Sequence, residues 1–76
     1  MPTPNKDTPK RDTAAFAANL ALLRRSAGLS QEQLAERLDV SRQSVSKWES
    51  GVCLPELTTL DVLCGLFGCT LDLLLR

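Results

Sequence analysis

Residues 41–50 combine polar side chains that can form specific hydrogen bonds with apolar residues at helical spacing. Val45 and Trp48 are three residues apart, so in a helix they face inward together. Five polar side chains then point outward: Arg42, Gln43, Ser44, Ser46 and Lys47. An Arg side chain can donate two hydrogen bonds to guanine, and Gln can donate to and accept from adenine. We therefore predict base contacts from four of these residues: Arg42, Gln43, Ser44 and Lys47.

Donors for a phosphate backbone are expected close to this stretch. The start of the preceding helix carries Ser30 and Gln31, and the first N–H groups of a helix have no partner within it. The helix dipole favours negative charge at the same end. The predicted phosphate contacts are Ser30, Gln31, Ser41 and Ser46.

Two short helices joined by a tight turn must position these side chains. Ser30 and Gln33 match the capping-box pattern at the start of the first of them. Ala35 is small enough to let the two helices approach closely. Asp39 tolerates a left-handed backbone better than most residues, which makes a sharp turn feasible. Ser41 is then the expected cap of the helix that carries the base-contacting residues.

The N-terminal part of the chain predicts an arm followed by a helix. Residues 1–12 contain three of the four prolines, are mildly basic and are interpreted as a flexible arm, which could also reach along DNA. Asp12 or Thr13 is the expected cap of the first helix, and Gly28 is its expected end. The predicted buried face of this helix is Phe16, Leu20 and Leu23.

The C-terminal part predicts two more helices. The fourth follows Pro55 and ends at Gly68, and its predicted inward face is Leu57, Leu60, Cys64 and Phe67. Thr70 is the expected cap of a short fifth helix over residues 71–75. With no strand-like alternation, the predicted fold is all-α: one compact five-helix domain over residues 13–76.

From about Phe16 to Leu75 the chain resembles the Cro and phage-repressor type of helix-turn-helix domain, also called Xre-like. The matching residues are Leu20 and Arg24, the motifs AGLSQEQLA and VSRQSVSKWESG, Pro55, and the closing FGCTLDLLL. The resemblance implies a five-helix fold that binds operator DNA as a two-fold dimer, and we expect a regulator of transcription, most naturally a repressor.

The resemblance also implies roles for individual residues. Gln31 matches a phosphate-contacting position, and Ser44 lies near the backbone or the bases. Base-contacting positions are matched by Arg42, Gln43 and Lys47. Arg24 and Glu49 match positions that commonly pair, so we predict an ion pair that ties the first helix to the end of the third.

Charge limits the strength of DNA binding that can be expected. Nine Lys and Arg residues balance nine Asp and Glu residues in the 76-residue chain, so it has no strong overall positive field. The loop VCLPEL after the third helix contains no Lys or Arg and carries Glu56. We expect modest affinity with a shallow dependence on salt.

The remaining chemistry argues against other classes. There is no His, no phosphate-binding Gly loop and no carboxylate pair, so we predict neither an enzyme nor a cofactor or metal site. Cys64 is expected in the core, and the exposed Cys53 is the most accessible candidate for a thiol sensor; Cys69 lies near the Gly68 turn. No apolar run reaches membrane-spanning length. The expected location is the bacterial cytoplasm, or a phage-infected cell, at the nucleoid.

The apolar C-terminal residues suggest contact with another surface. We expect a homodimer formed by the end of the fourth helix and the fifth helix, through Leu66, Leu71, Leu73 and Leu74. The alternative is that these leucines meet a C-terminal regulatory domain absent from this sequence. A different class of function also stays open, namely a protein-interaction or antitoxin-like helix-turn-helix module with weak or no specific DNA binding.

Overall fold

A computed structural model describes residues 11–75 and contains five helices. They are α1 (Arg11–Ser26), α2 (Gln31–Leu38), α3 (Arg42–Glu49), α4 (Leu57–Phe67) and α5 (Leu71–Leu74). The predicted all-α, five-helix fold is confirmed, and no strand occurs within residues 11–75. No helix in that range is long and apolar enough to cross a membrane. Of the arm predicted over residues 1–12, residues 1–10 lie outside the described residues.

Helix α1 begins earlier than predicted. It starts at Arg11, so the cap predicted at Asp12 or Thr13 is wrong, and residues 11 and 12 belong to the helix rather than to the arm. Thr13 lies in the first turn and is buried. The pattern misleads because an acidic residue is favourable throughout the first turn of a helix, and not only at its cap.

Left-handed residues end the first four helices at sharply defined positions. Gly28, Gly51 and Gly68 have positive φ, and Asp39 is the one non-glycine residue in residues 11–75 that does so, with φ of 57°. The Asp39 N–H donates to the backbone of α2, and the Val40 N–H donates to the Ala35 carbonyl at 3.0 Å. This is the Schellman arrangement, which satisfies the last carbonyls of a helix while reversing the chain.

The helix starts follow the predicted capping chemistry. The Ser30 Oγ accepts from the Gln33 N–H at 3.0 Å, and the Gln33 Oε1 accepts from the Ser30 N–H at 2.8 Å. The Ser41 Oγ accepts from the Ser44 N–H at 3.2 Å. The Thr70 Oγ1 caps α5 in the same way. Side-chain caps therefore fix the starts of α2, α3 and α5.

A single core joins all five helices. Among the described residues, the largest fully buried side chains are Phe16, Leu20, Leu34, Val45, Leu63 and Leu74. Trp48 is 6% exposed and packs in the same cluster, which confirms its predicted core position. Ala35 is also buried, where α2 and α3 lie against each other.

The inward face of α4 differs from the prediction. Leu57 is 70% exposed, whereas Leu63, absent from the predicted face, is fully buried. Leu60, Cys64 and Phe67 do contribute to the core or pack against it. Because α4 carries apolar residues on several sides, its sequence contains two overlapping helical stripes and does not distinguish between them.

Helix α5 presents a different set of leucines than predicted. Leu74 is fully buried within the protomer, so its assignment as a dimer contact is wrong. Leu71 and Leu73 are 37% and 56% exposed, and Leu66 is half-buried against the core. The Asn19 Nδ2 donates to the Leu74 carbonyl at 2.9 Å and to that of Leu73 at 3.2 Å. This tie to α1 turns Leu74 inward and leaves Leu71 and Leu73 outside.

Two substitutions on α4 test the corrected core face. Leu63→Ala is expected to lower the free energy of unfolding by about 2–5 kcal/mol, because it leaves a cavity in a fully buried position. The matched control Leu57→Ala should change it by less than about 0.5 kcal/mol, since that side chain faces solvent. Urea unfolding monitored by circular dichroism measures both values. Equal losses for the two variants would contradict the packing described.

Candidate nucleic-acid interface

Helix α3 is anchored on one side and open on the other. Val45 and Trp48 hold it against the core. Four exposed polar side chains line one surface depression of about 390 Å³: Arg42, Gln43, Ser46 and Lys47. Two cations and an amide therefore share a concave face, and no carboxylate from the described part of the chain lines it.

Ser44 does not line that depression. It is half-buried, and its Oγ lies 3.0 Å from the Ser41 Oγ while its N–H donates to the same atom. Ser44 therefore takes part with Ser41 in the cap of α3, and it does not line the depression that contains Arg42 and Gln43. Ser41 remains exposed at the start of the helix.

The start of α2 presents donors close to the end of α3. The Ser30 Oγ accepts the Gln33 N–H, which leaves the Ser30 hydroxyl hydrogen available as a donor. The capping box does not use the N–H groups of Gln31 and Glu32, which point beyond the start of the helix. The Gln31 side chain is half-buried because it donates through Nε2 to the Glu49 Oε1 at 3.2 Å.

The predicted ion pair between Arg24 and Glu49 is present. The Arg24 Nε donates to Oε2 at 2.6 Å and Nη2 donates to Oε1 at 3.0 Å, so the pair is bidentate. The Arg24 Nη1 also donates to the Leu29 carbonyl at 2.7 Å. The hydrogen bond to Glu49 raises the pKa of Arg24, and burial opposes this rise. Arg24 is therefore a permanent cation at this position.

The contact between Gln31 and Glu49 was not predicted from the sequence. Eighteen residues separate the two, and no local pattern connects them. A carboxylate can only accept hydrogen bonds, so the amide nitrogen of Gln31, and not its oxygen, must face Glu49. The second N–H of the same nitrogen is left for another acceptor.

The loop between α3 and α4 is apolar and acidic at its surface. Val52 and Leu54 are 67% and 37% exposed, and Cys53 and Glu56 are exposed as well. This loop contains no Lys or Arg, so its side chains offer a phosphate no positive charge.

Removing the Glu49 carboxylate tests its structural role. Glu49→Ala leaves the Arg24 guanidinium, which is 12% exposed, without its counter-charge. We expect the free energy of unfolding to fall by about 3 kcal/mol, near the lower end of the cost of breaking a buried pair. The control Glu36→Ala removes an exposed carboxylate on α2 and should change the value by less than about 0.5 kcal/mol. A Glu49→Ala protein as stable as the control would show that the pair does not hold the helices.

Comparison with known proteins adds independent information. The family model of HTH_3, described as helix-turn-helix, matches residues 20–74. The HTH-type transcriptional activator BcrR of Enterococcus faecalis is 47% identical over 60 residues, which is 79% of this chain and 29% of that protein. A Bacillus subtilis SPbeta prophage-derived HTH-type transcriptional regulator, YonR, is 38% identical over 61 residues, which is 80% of this chain and 56% of that protein.

The same fold is found in solved structures. The SOS-response transcriptional repressor LexA from Eubacterium rectale superposes with a TM-score of 0.84 at 22% identity, covering 91% of this chain and 73% of that one. A hypothetical transcription factor, NHTF, from Neisseria superposes with a TM-score of 0.75 at 26% identity, covering 100% of this chain and 84% of that one.

The chain spans between about a third and just over half of the two curated relatives it matches. Since the family model covers most of its length, the chain belongs to the helix-turn-helix family of the Cro/C1 type.

Proposed function

We propose that this chain is a sequence-specific double-stranded DNA-binding domain of a transcription regulator, with α3 in the major groove. The observation that carries the proposal is the exposed face of α3, which collects Arg42, Gln43, Ser46 and Lys47 around one depression while Val45 and Trp48 fix the opposite face. A helix held in this way can enter the groove without deforming the domain.

Base recognition is assigned to the side chains at the start and middle of α3. Arg42 and Gln43 stand on the first turn, which enters the groove first. Arg42 offers two donors to guanine, Gln43 offers a donor and an acceptor to adenine, and Lys47 can reach a guanine acceptor or a phosphate. Ser44 is assigned a lesser part, since its hydroxyl is engaged in the cap with Ser41.

Phosphate contacts are assigned to the starts of α2 and α3. The Ser30 hydroxyl and the N–H groups of Gln31 can donate to one phosphate, aided by the positive end of the α2 dipole. Ser41 and Ser46 can donate to the backbone beside α3. Most of these donors are neutral, so they position the protein without releasing many counterions. A single domain is therefore expected to bind weakly.

High affinity for DNA is proposed to require two copies of the chain, which bind a palindromic site together. Leu71 and Leu73 are exposed and Leu66 is half-buried nearby in the chain, so a symmetric contact through the end of α4 and α5 would remove them from water. Such a dimer would place two α3 helices roughly 34 Å apart, on successive turns of the major groove. One relative is named an activator. We therefore propose that the position of the binding site relative to the promoter decides whether this protein activates or represses transcription.

Selection of bound sites from random duplexes tests base recognition. We expect a palindrome, and we expect Arg42→Ala and Gln43→Ala each to cost about 1–3 kcal/mol on that site and to relax the preference at one base pair. The control Arg37→Ala removes an exposed cation on α2, outside the depression, and should keep the preference. If the wild type and both variants bind duplex DNA equally weakly at low salt, sequence-specific recognition is refuted. That outcome would favour the protein-interaction or antitoxin-like module.

Substitution of Leu73 tests pairing. Leu73→Glu is expected to shift the protein to monomers in sedimentation and to lower affinity for the palindrome but not for an isolated half-site, because a charge would be buried in the seam. The matched control Leu57→Glu places the same charge at an exposed leucine at the start of α4 and should leave pairing intact. A wild-type protein that sediments only as a monomer at high concentration would contradict the dimer.

A further inference from the structure

The end of α4 brings two cysteines together. Gly68 adopts the left-handed conformation and its N–H donates to the Cys64 carbonyl. The Cys69 N–H donates to the same carbonyl at 3.0 Å. In a Schellman ending the side chains of these two positions characteristically pack against each other. The turn therefore places the Cys64 and Cys69 side chains side by side, although their sequence spacing is unlike a CxxC motif.

The surroundings of the two thiols agree with this arrangement. Both cysteines are free, half-buried and packed against the core. Burial raises the pKa of the Cys64 thiol, and the neighbouring Cys69 thiol raises it further through charge repulsion and a hydrogen bond. Asp61, one turn earlier on α4, acts in the same direction. Cys64 therefore remains a protonated thiol near neutral pH.

We propose that Cys64 and Cys69 form a reversible dithiol–disulfide site that responds to low-molecular-weight disulfides. A disulfide needs Cα atoms roughly 4.4–6.8 Å apart and Cβ atoms directed at each other. The 3.0 Å hydrogen bond from the Cys69 N–H to the Cys64 carbonyl holds the two residues at close range in the reduced protein. The bond would close a short loop across Gly68.

The chemistry balances with one oxidant molecule. The first protein thiol loses its proton, and the resulting thiolate attacks one sulfur of the small disulfide to form a mixed disulfide. The small thiolate that leaves takes up a proton and becomes the first small thiol. The second protein thiol then loses its proton and attacks the protein sulfur of the mixed disulfide, which releases the second small thiol. Two protein thiols are thus oxidised while one small disulfide is reduced to two thiols.

The location gives the site a structural consequence. Cys69 immediately precedes Thr70, the cap of α5, and α5 carries the buried Leu74 and the exposed Leu71 and Leu73. Oxidation would covalently join the last turn of α4 to the start of α5. Cys53 lies in the exposed loop after α3 and takes no part in this bond, in contrast to its expected role as the most accessible sensor.

Oxidation of the folded chain by oxidised glutathione tests the site. In a Cys53→Ser background, we expect both remaining thiols to be lost to labelling, the mass to fall by two hydrogens, and dithiothreitol to restore both. The variant Cys53→Ser with Cys69→Ser should instead retain one glutathione on Cys64. Circular dichroism verifies that each variant keeps its helices.

Two outcomes would overturn the proposal. One is a folded Cys53→Ser protein that accumulates two glutathione adducts, or a disulfide between chains, without losing two hydrogens. The other is an effective concentration of the two thiols, measured in a glutathione redox buffer, that is the same in the folded chain as in urea. We expect the folded value to be higher by at least about tenfold, because the fold holds the sulfurs together before oxidation.

Discussion

The Glu49 carboxylate accepts hydrogen bonds from α1 and from α2 while it stands at the end of α3. Its two oxygens accept from Arg24 on α1, and one of them also accepts from Gln31 at the start of α2. A partly buried ion pair contributes little net stability, because desolvation offsets the attraction between the charges. What it supplies is a defined angle between the helix that would read DNA and the helices behind it.

The ion pair also determines which charges face the open side of α3. Arg24 neutralises Glu49, so that carboxylate does not repel a nucleic acid approaching α3. The positive charge of Arg42 and Lys47 is then left on the open face. Asp39 helps to position the other end of α3. Its left-handed backbone forms the short turn that connects α2 to α3. One end of α3 is therefore positioned by backbone geometry and the other by side-chain charge.

Local chemistry made much of this fold predictable, and contacts between distant residues set the limit. The caps at Ser30, Ser41 and Thr70 depend on residues within one turn, so the sequence patterns identified them correctly. The inward side of α4 depends on which of two apolar stripes meets α2 and α5, and a single helix sequence does not contain that information. The same holds for the contact between Gln31 and Glu49. The base-contacting residues remain predictions, since they concern a surface whose partner is DNA.

The Asn19 amide on α1 contacts backbone carbonyls of α5 more than fifty residues further along the chain. Helices α2 and α3 meet through neighbouring residues, but docking α5 must close the loop that contains the whole remainder of the domain, at a larger entropic cost. We expect α5 to form last during folding and to open first, with fast amide exchange. On this expectation, the surface of Leu71 and Leu73 belongs to the helix that opens most easily. A partner bound there would order α5 as well as associate with it, which couples assembly to the final step of folding.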